Sequence, residues 1–382
     1  MTDVTIAAEA AGARLIRKED LVACKIAFID CKTPGSHLKE NYSLIGPGVT
    51  TSADQVVNLR ELHGFNIGAA AMPNGITNNL HIHFTAEVFL CFRGDWTFRW
   101  GPNGDDGEIT GHAGTIVSVP TWIFRGFTNV GPDDGFIFTV LGGDDTGGII
   151  WHPSILGGAA EHGLYLTKDN LLVDTGAGAA RPAEEELIRP IPAAEIAKLR
   201  RYGAEEMRAR VVTAEDRVFT ADALLDSCLP GHASEMAPVI GTGMIQDRDA
   251  APRITDPHGF ALEWLRLPPG QSVSRHRLGR KQVLMAYRGA VAVTLNAPGE
   301  EVTVPLGAWD TYSVPAGAWR SIANTSDRVA ELVVVTAGDG RATPEWAPEV
   351  VEAALAQGRA VDRSGTLALA GLLPGYGLGR GA

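Results

Sequence analysis

The chain has 382 residues, 45% of them hydrophobic and 20% charged, with a formal net charge of −12. That length allows two domains with cores of their own, and the acidic balance argues against a phosphate backbone as partner. No apolar run approaches the roughly 20 residues a bilayer demands, so the expected partner is a small molecule, with no nucleic acid and no membrane.

The opening stretch, MTDVTIAAEAAGARLIRKED, has no positive region followed by a long apolar run. No signal peptide is expected, and a cytoplasmic location is the default. Cys24, Cys31, Cys91 and Cys228 show no C-x-x-C spacing. Buried reduced thiols are expected in a chain this long, with a Cys24–Cys31 bridge as the alternative. The 45 Gly and 22 Pro follow no collagen-like period and fit many short strands joined by tight turns.

Glu87 to Phe92 (EVFLCF) is short, apolar and aromatic and ends at Gly94, and Trp96 to Trp100 follows as a second strand. Thr115 to Val119 is β-branched and stops at Pro120, and Phe136 to Leu141 reads as another strand. Pro182 to Val212 differs: it is rich in Glu, Ala and Arg, and Ile196, Leu199 and Met207 are spaced roughly for one helical face. Val283 to Tyr287, Ala290 to Leu295, Thr311 to Val314 and Leu332 to Thr336 then repeat the earlier strand order. Pro348 to Arg363 reads as helical, and the Gly-rich end from Leu372 reads as mobile.

A fixed offset organises these elements. Gly75, His81, Gly94, Pro120, Arg125 and Asn129 recur 195 residues later as Gly270, His276, Gly289, Pro315, Arg320 and Asn324. The chain therefore reads as two copies of one all-β fold, a barrel or sandwich. The expected boundaries are a first barrel domain over 1–175, a helical connector over 176–215, a second barrel domain over 216–345, and a helix with a tail over 346–382.

The first copy contains Gly75-ITNNL-His81-Ile82-His83-FTA-Glu87. Side chains on a strand alternate between faces, and His81, His83 and Glu87 share one parity. Two imidazoles and a carboxylate in one cavity suit a divalent transition metal and leave coordination positions open, as a catalytic site requires.

The segment resembles the first cupin motif, G-x5-H-x-H-x3,4-E-x6-G, at Gly75, His81, His83, Glu87 and Gly94. The second cupin motif, G-x5-P-x-G-x2-H-x3-N, is matched at Gly114, Pro120 and Asn129. Trp122 stands in place of its Gly, and Arg125 in place of its metal-binding His. In the second copy Leu278, Gln282 and Arg320 replace three of the four ligand positions, so no metal is expected there. The resemblance is to the bicupins as a group, over roughly residues 50–145 and 245–340. It implies two jelly-roll barrels, a divalent metal at His81, His83 and Glu87, and a small-molecule substrate. Fe(II) is favoured, since a two-His, one-carboxylate set suits non-haem iron and dioxygen; Mn, Ni, Cu, Co or Zn also fit.

A guanidinium cannot ligate a cation. Arg125 is therefore expected to grip a substrate anion, or else to pair with Glu87 in the metal's place and leave the barrel structural. His112 is a candidate further ligand or a loop residue, and His152 and His162 are candidate lid or loop residues. Trp96, Trp100, Trp122 and Phe124 are expected in the core or lining the cavity. The terminal GLGRG lacks the flanking strand and helix of a phosphate loop. The expected function is a metal-dependent, dioxygenase-type oxidoreductase acting on a small aromatic or keto acid. An isomerase or lyase and a non-enzymatic binding protein are the alternatives, and the sequence permits a homo-oligomer.

Overall fold

The computed structural model describes residues 4–373. The GLGRG segment and most of the Gly-rich end lie outside the described residues. The chain divides into two compact units, one of residues 21–216 and one of residues 217–382 together with 1–20.

Unit 21–216 is a pair of antiparallel sheets. The first runs Val211–Val212, Ile116–Val119, Glu87–Arg93, Gly135–Gly142, Phe65–Met72, Glu40–Ile45, with Val57–Leu59 added in parallel at the edge. The second runs Ile149–Trp151, Thr77–His83, Arg125–Asn129, Trp96–Trp100, Gly107–Gly111. Alternation sets the faces: Trp96, Phe98 and Trp100 point inward, while Thr97 and Arg99 are only partly buried. Phe89, Phe98, Phe127 and Val117 fill the core between the sheets.

The other unit repeats the plan, with Thr311–Val314, Gln282–Arg288, Ala330–Ala337, Phe260–Leu267 and Glu235–Ile240 in one sheet. Its second sheet runs Val302–Leu306, Val291–Leu295, Arg320–Asn324, Ser272–Arg277, Glu345–Trp346. Gly94 and Gly289 hold the same turn at φ 93° and 75°. A Cβ on either would lie 2.8–2.9 Å from the backbone of Gly135 or Ala330, so only glycine fits.

The repeat extends past the barrels. Trp151 and Trp346, Pro153 and Pro348, and Gly163 and Gly358 also keep the 195-residue offset. Helix Pro153–Glu161 is followed by the hairpin Leu164–Leu166 and Leu172–Asp174. Helix Pro348–Ala356 is followed likewise by Arg359–Val361 and Leu367–Leu369. The helix expected near the C-terminus is thus one half of a helix-and-hairpin module present in both copies.

The expected helical connector is only sparsely helical. Between 176 and 215 there are short turns at Glu184–Glu186, Ala193–Ile196 and Ala204–Arg208, then the strand Val211–Val212. Its last part duplicates the start of the chain, for Ala13-Arg14-Leu15-Ile16 and Ala209-Arg210-Val211-Val212 lie 196 residues apart. Leu15–Ile16 pairs with Thr311–Val314, and Val211–Val212 pairs with Ile116–Val119, the equivalent edge. Arg14 O accepts from Ser313 N at 3.2 Å, and Arg210 O accepts from Ser118 N at 3.0 Å. Residues 1–20 therefore complete the second barrel and not the first domain, whose expected span began at residue 1. The arm that precedes the second barrel completes the first.

Candidate metal centre

Strand Thr77–His83 carries His81 and His83, a three-residue turn reverses the chain, and the next strand, Glu87–Arg93, opens with Glu87. His81 and His83 lie two apart on one strand and share a face. Arg125 opens strand Arg125–Asn129 and is the direct cross-strand partner of His81. All four side chains are buried.

One ligand-capable atom from each of His81, His83 and Glu87 lies within 4.8 Å of the others. His83 Nε2 is 3.5 Å from Glu87 Oε2, and the two imidazole centroids are 4.7 Å apart. Metal–ligand bonds of about 2.0–2.2 Å need these atoms to close slightly, which side-chain torsions allow. His81 Nδ1 lies 2.6 Å from the Asn79 carbonyl, against which it can only donate. That contact fixes the tautomer and leaves Nε2 with its lone pair, the usual outer-shell arrangement of a ligating histidine. The Asn79 N–H is in turn held by Asp30 Oδ2 at 3.3 Å. Asp30 is buried and receives Lys39 Nζ at 2.7 Å, and the same ammonium donates to Asn78 Oδ1 at 2.5 Å. The Trp151 ring packs 5.4 Å from His81.

The electrostatics favour the ligand forms. Burial, with help from His83 and Arg125, holds the His81 imidazole well below its ordinary value. Burial lowers His83 too, against the opposing pull of Glu87. Burial alone would raise Glu87, but His83 and Arg125 together outweigh it and keep the carboxyl low. Two neutral imidazoles and an ionised carboxylate are the donor states a divalent ion requires. Glu87 Oε2 has no hydrogen-bond partner, so the donor set fits a metal on both chemistry and unmet coordination.

Arg125 forms a buried ion pair with Glu87, the alternative expected from the sequence, though without a hydrogen bond. Its Nη1 and Nη2 reach the carbonyls of His81 (3.5 Å) and Pro120 (3.2 Å), while Nε stands 3.6 Å from Glu87 Oε2 and is unbonded. Burial, opposed by Glu87, lowers the guanidinium to about 10, which keeps it charged at neutral pH.

Trp122 N donates to the His83 carbonyl at 3.3 Å. Its φ of 59° is the left-handed geometry that its counterpart Gly317 adopts at 78°. Trp122 is 47% exposed and meets Phe84, 37% exposed, edge to face at 5.1 Å. Trp96, Trp100 and Phe124 belong to the core instead. His112 pairs with Asp95 on the surface at 2.7 Å and does not join the cluster. His152 caps the helix Pro153–Glu161 through Ser154, and His162 ends it.

The second copy keeps the frame. His276 Nδ1 lies 2.8 Å from Ser274 O, and Asp226 Oδ2 accepts from Ser274 N at 2.6 Å. Arg320 Nη2 donates to Gln282 Oε1 at 3.1 Å, where Glu87 stands in the first copy. The outer-shell Asp30 and Asp226 were missed in the sequence because neither lies inside a motif. The shared Trp151 and Trp346 were within reach of the offset.

No family model matches the chain, and no curated protein sequence does. Solved structures do. Oxalate decarboxylase from Lactobacillus farciminis, in its formate complex, aligns at TM-score 0.54 and 12% identity over 88% of this chain and 89% of that one. Oxalate decarboxylase from Bacillus subtilis aligns at 0.52 and 10% identity over 91% of this chain and 79% of that one. The 7S globulin of Momordica charantia aligns at 0.50 and 11% identity over 85% and 84%. The fold is that of a bicupin. At such identities the likeness speaks for architecture alone, and the bicupin frame by itself assigns no activity.

Proposed function

We propose that the barrel of residues 21–216 holds a divalent metal through His81, His83 and Glu87 and acts on a small organic anion, most simply as a dioxygenase-type oxidoreductase. The observation that carries this reading is the convergence of three buried donor atoms within 4.8 Å, with the His81 tautomer set from behind by Asn79. Fe(II) is favoured over Mn, Ni, Cu, Co or Zn because a two-His, one-carboxylate face leaves positions free for substrate and dioxygen. Such an ion supplies Lewis acidity and, as Fe(II), the electrons for oxygen chemistry. Arg125 faces the anionic part of the substrate with its unbonded Nε and offsets its charge.

A lyase or isomerase is the second reading, favoured by the shared fold with oxalate decarboxylases, enzymes named for action on a small carboxylate. A non-enzymatic role stands beside it, since the 7S globulin has the same architecture.

Elemental analysis of protein expressed without added ions, followed by oxygen uptake with small aromatic and keto acids, tests the proposal. About one metal per chain, lost in His81→Ala together with uptake, is expected. Turnover that proceeds anaerobically moves the assignment to the lyase or isomerase class. Stoichiometric metal in His81→Ala overturns the site.

A further inference from the structure

The arginine of the second barrel has no counter-charge. Arg320 is fully buried, and among the described residues no carboxylate forms an ion pair with it. Its counterpart Arg125 has Glu87 at 3.6 Å, but Gln282 occupies the equivalent place here and offers only a neutral amide oxygen. Arg320 Nη1 and Nη2 are taken by the Ala318 carbonyl at 3.2 Å and by Gln282. Nε carries an unbonded N–H. His276 is its direct cross-strand partner, equally buried, with Nδ1 engaged by Ser274 O and Nε2 without a partner. With Nδ1 donating, Nε2 presents a lone pair.

A guanidinium buried without a counter-charge is strongly unfavourable, because it loses its hydration and gains no opposite charge in return. The buried carboxyls of this unit are engaged elsewhere: Glu263 accepts from Met244 N and Ile245 N at 2.9 and 3.1 Å, Asp226 from Ser274 N at 2.6 Å, and Asp310 from Lys18 N at 3.0 Å. What remains is one cationic donor and one neutral acceptor on adjacent strands of the same face. A bare halide answers the first and leaves the second unmet. An oxyanion with a hydroxyl answers both, its O⁻ accepting from Arg320 and its O–H donating to His276.

We propose that the second barrel binds a small oxyanion carrying one hydroxyl, of the size of hydrogen carbonate, between Arg320 Nε and His276 Nε2. The site is separate from the candidate metal centre and does not depend on it. The exchange of Glu for Gln at 282 gives it its sign, because the carboxylate that would neutralise the arginine internally is gone. Leu278, in place of the second motif histidine, removes a metal ligand while leaving the arginine's charge in place.

The test is the unfolding midpoint of the full chain in chloride-free buffer at constant ionic strength, titrated with hydrogen carbonate, formate or chloride. Hydrogen carbonate is expected to raise the midpoint progressively, and formate and chloride much less. Arg320→Gln, which removes the buried charge that has no carboxylate partner, is expected to be at least as stable without anion and to lose the response. Arg125→Gln is expected to keep it. If Arg320→Gln does not fold, His276→Leu decides, for it should erase the preference of hydrogen carbonate over formate. Equal responses to all three anions in Arg125→Gln protein, a response that survives Arg320→Gln combined with Arg125→Gln, a preference that survives His276→Leu combined with Arg125→Gln, or a crystal structure with only a water between the two side chains overturns the proposal.

Discussion

Arg125 Nε lies 3.6 Å from Glu87 Oε2, near enough for charge attraction and too far for a hydrogen bond. The pair therefore leaves the carboxylate free to turn toward a cation while holding a positive charge beside it. That charge works against a bound ion. Arg125 is also the cross-strand partner of His81. Arg125→His should place a fourth donor on the cluster and remove the repulsion. Metal affinity is expected to rise by about tenfold or more, which needs only ~1.4 kcal/mol. Competition with a chelator measures it. Unchanged or weaker affinity would sink the role given to this position.

Asp30 and Lys39 form a buried ion pair at 2.7 Å behind the cluster. Lys39→Met strands Asp30 without its counter-charge and is expected to cost about 3–5 kcal/mol of stability. Asp30→Asn with Lys39→Met should cost clearly less than Lys39→Met alone, a comparison that chemical denaturation of the two variants makes directly. The same variants report on the site, since Asp30 holds the Asn79 backbone that orients His81.

Glu263 should make stability fall with rising pH. Burial, partly offset by the Met244 and Ile245 amides, raises its carboxyl from an ordinary 4.5 to about 8. The folded protein thus retains a proton that the unfolded chain releases. The associated stability is complete below pH 4.5 and is lost as pH rises toward 8, at up to about 1.4 kcal/mol per pH unit. Glu263→Gln keeps an acceptor for the two amides and should flatten this slope in urea unfolding followed from pH 5 to 8. An unchanged slope would show that other groups carry it.

Gly243 sits against the same carboxyl. At φ 53°, a Cβ there would fall 2.0 Å from Glu263 Cδ. Gly243→Ala must displace either the loop or the glutamate, and a loss of about 2 kcal/mol or more is expected. A loss below ~0.5 kcal/mol would mean that the loop yields freely.

Removing residues 1–20 should weaken the unit of residues 217–373. Ile16 and Ala11 are buried, and Leu15–Ile16 caps the edge strand Thr311–Val314. A penalty of about 2–4 kcal/mol follows from that burial, along with a greater tendency to associate through the uncovered edge. Thermal unfolding and light scattering of the truncated chain test both.

The barrels were legible because their constraints are local. Gly94 must be glycine, strand parity places His81, His83 and Glu87 together, and the 195-residue offset doubles every landmark. The arms were not legible as edge strands. Each pairs through only two residues, Leu15–Ile16 and Val211–Val212, too few to show a period, and each partner lies far away in sequence. The connector misled for a related reason. Ile196, Leu199 and Met207 do mimic a helical spacing, but Pro190, Pro192 and Gly203 break the stretch into single turns. The offset, followed beyond Asn129, would have revealed the shared helix and hairpin. Only three-dimensional contact shows Asp30 and Asp226 holding the backbone behind His81 and His276.

Because each leader strand is seated on the opposite repeat, neither half is finished by its own polypeptide. A gene encoding residues 1–203 alone would make a barrel with one open seam and one spare ribbon that fits that seam. Two such molecules could lend each other their ribbons, so a half-length product would be expected to emerge as a mutually clasped pair, with fusion of the repeats making that clasp intramolecular.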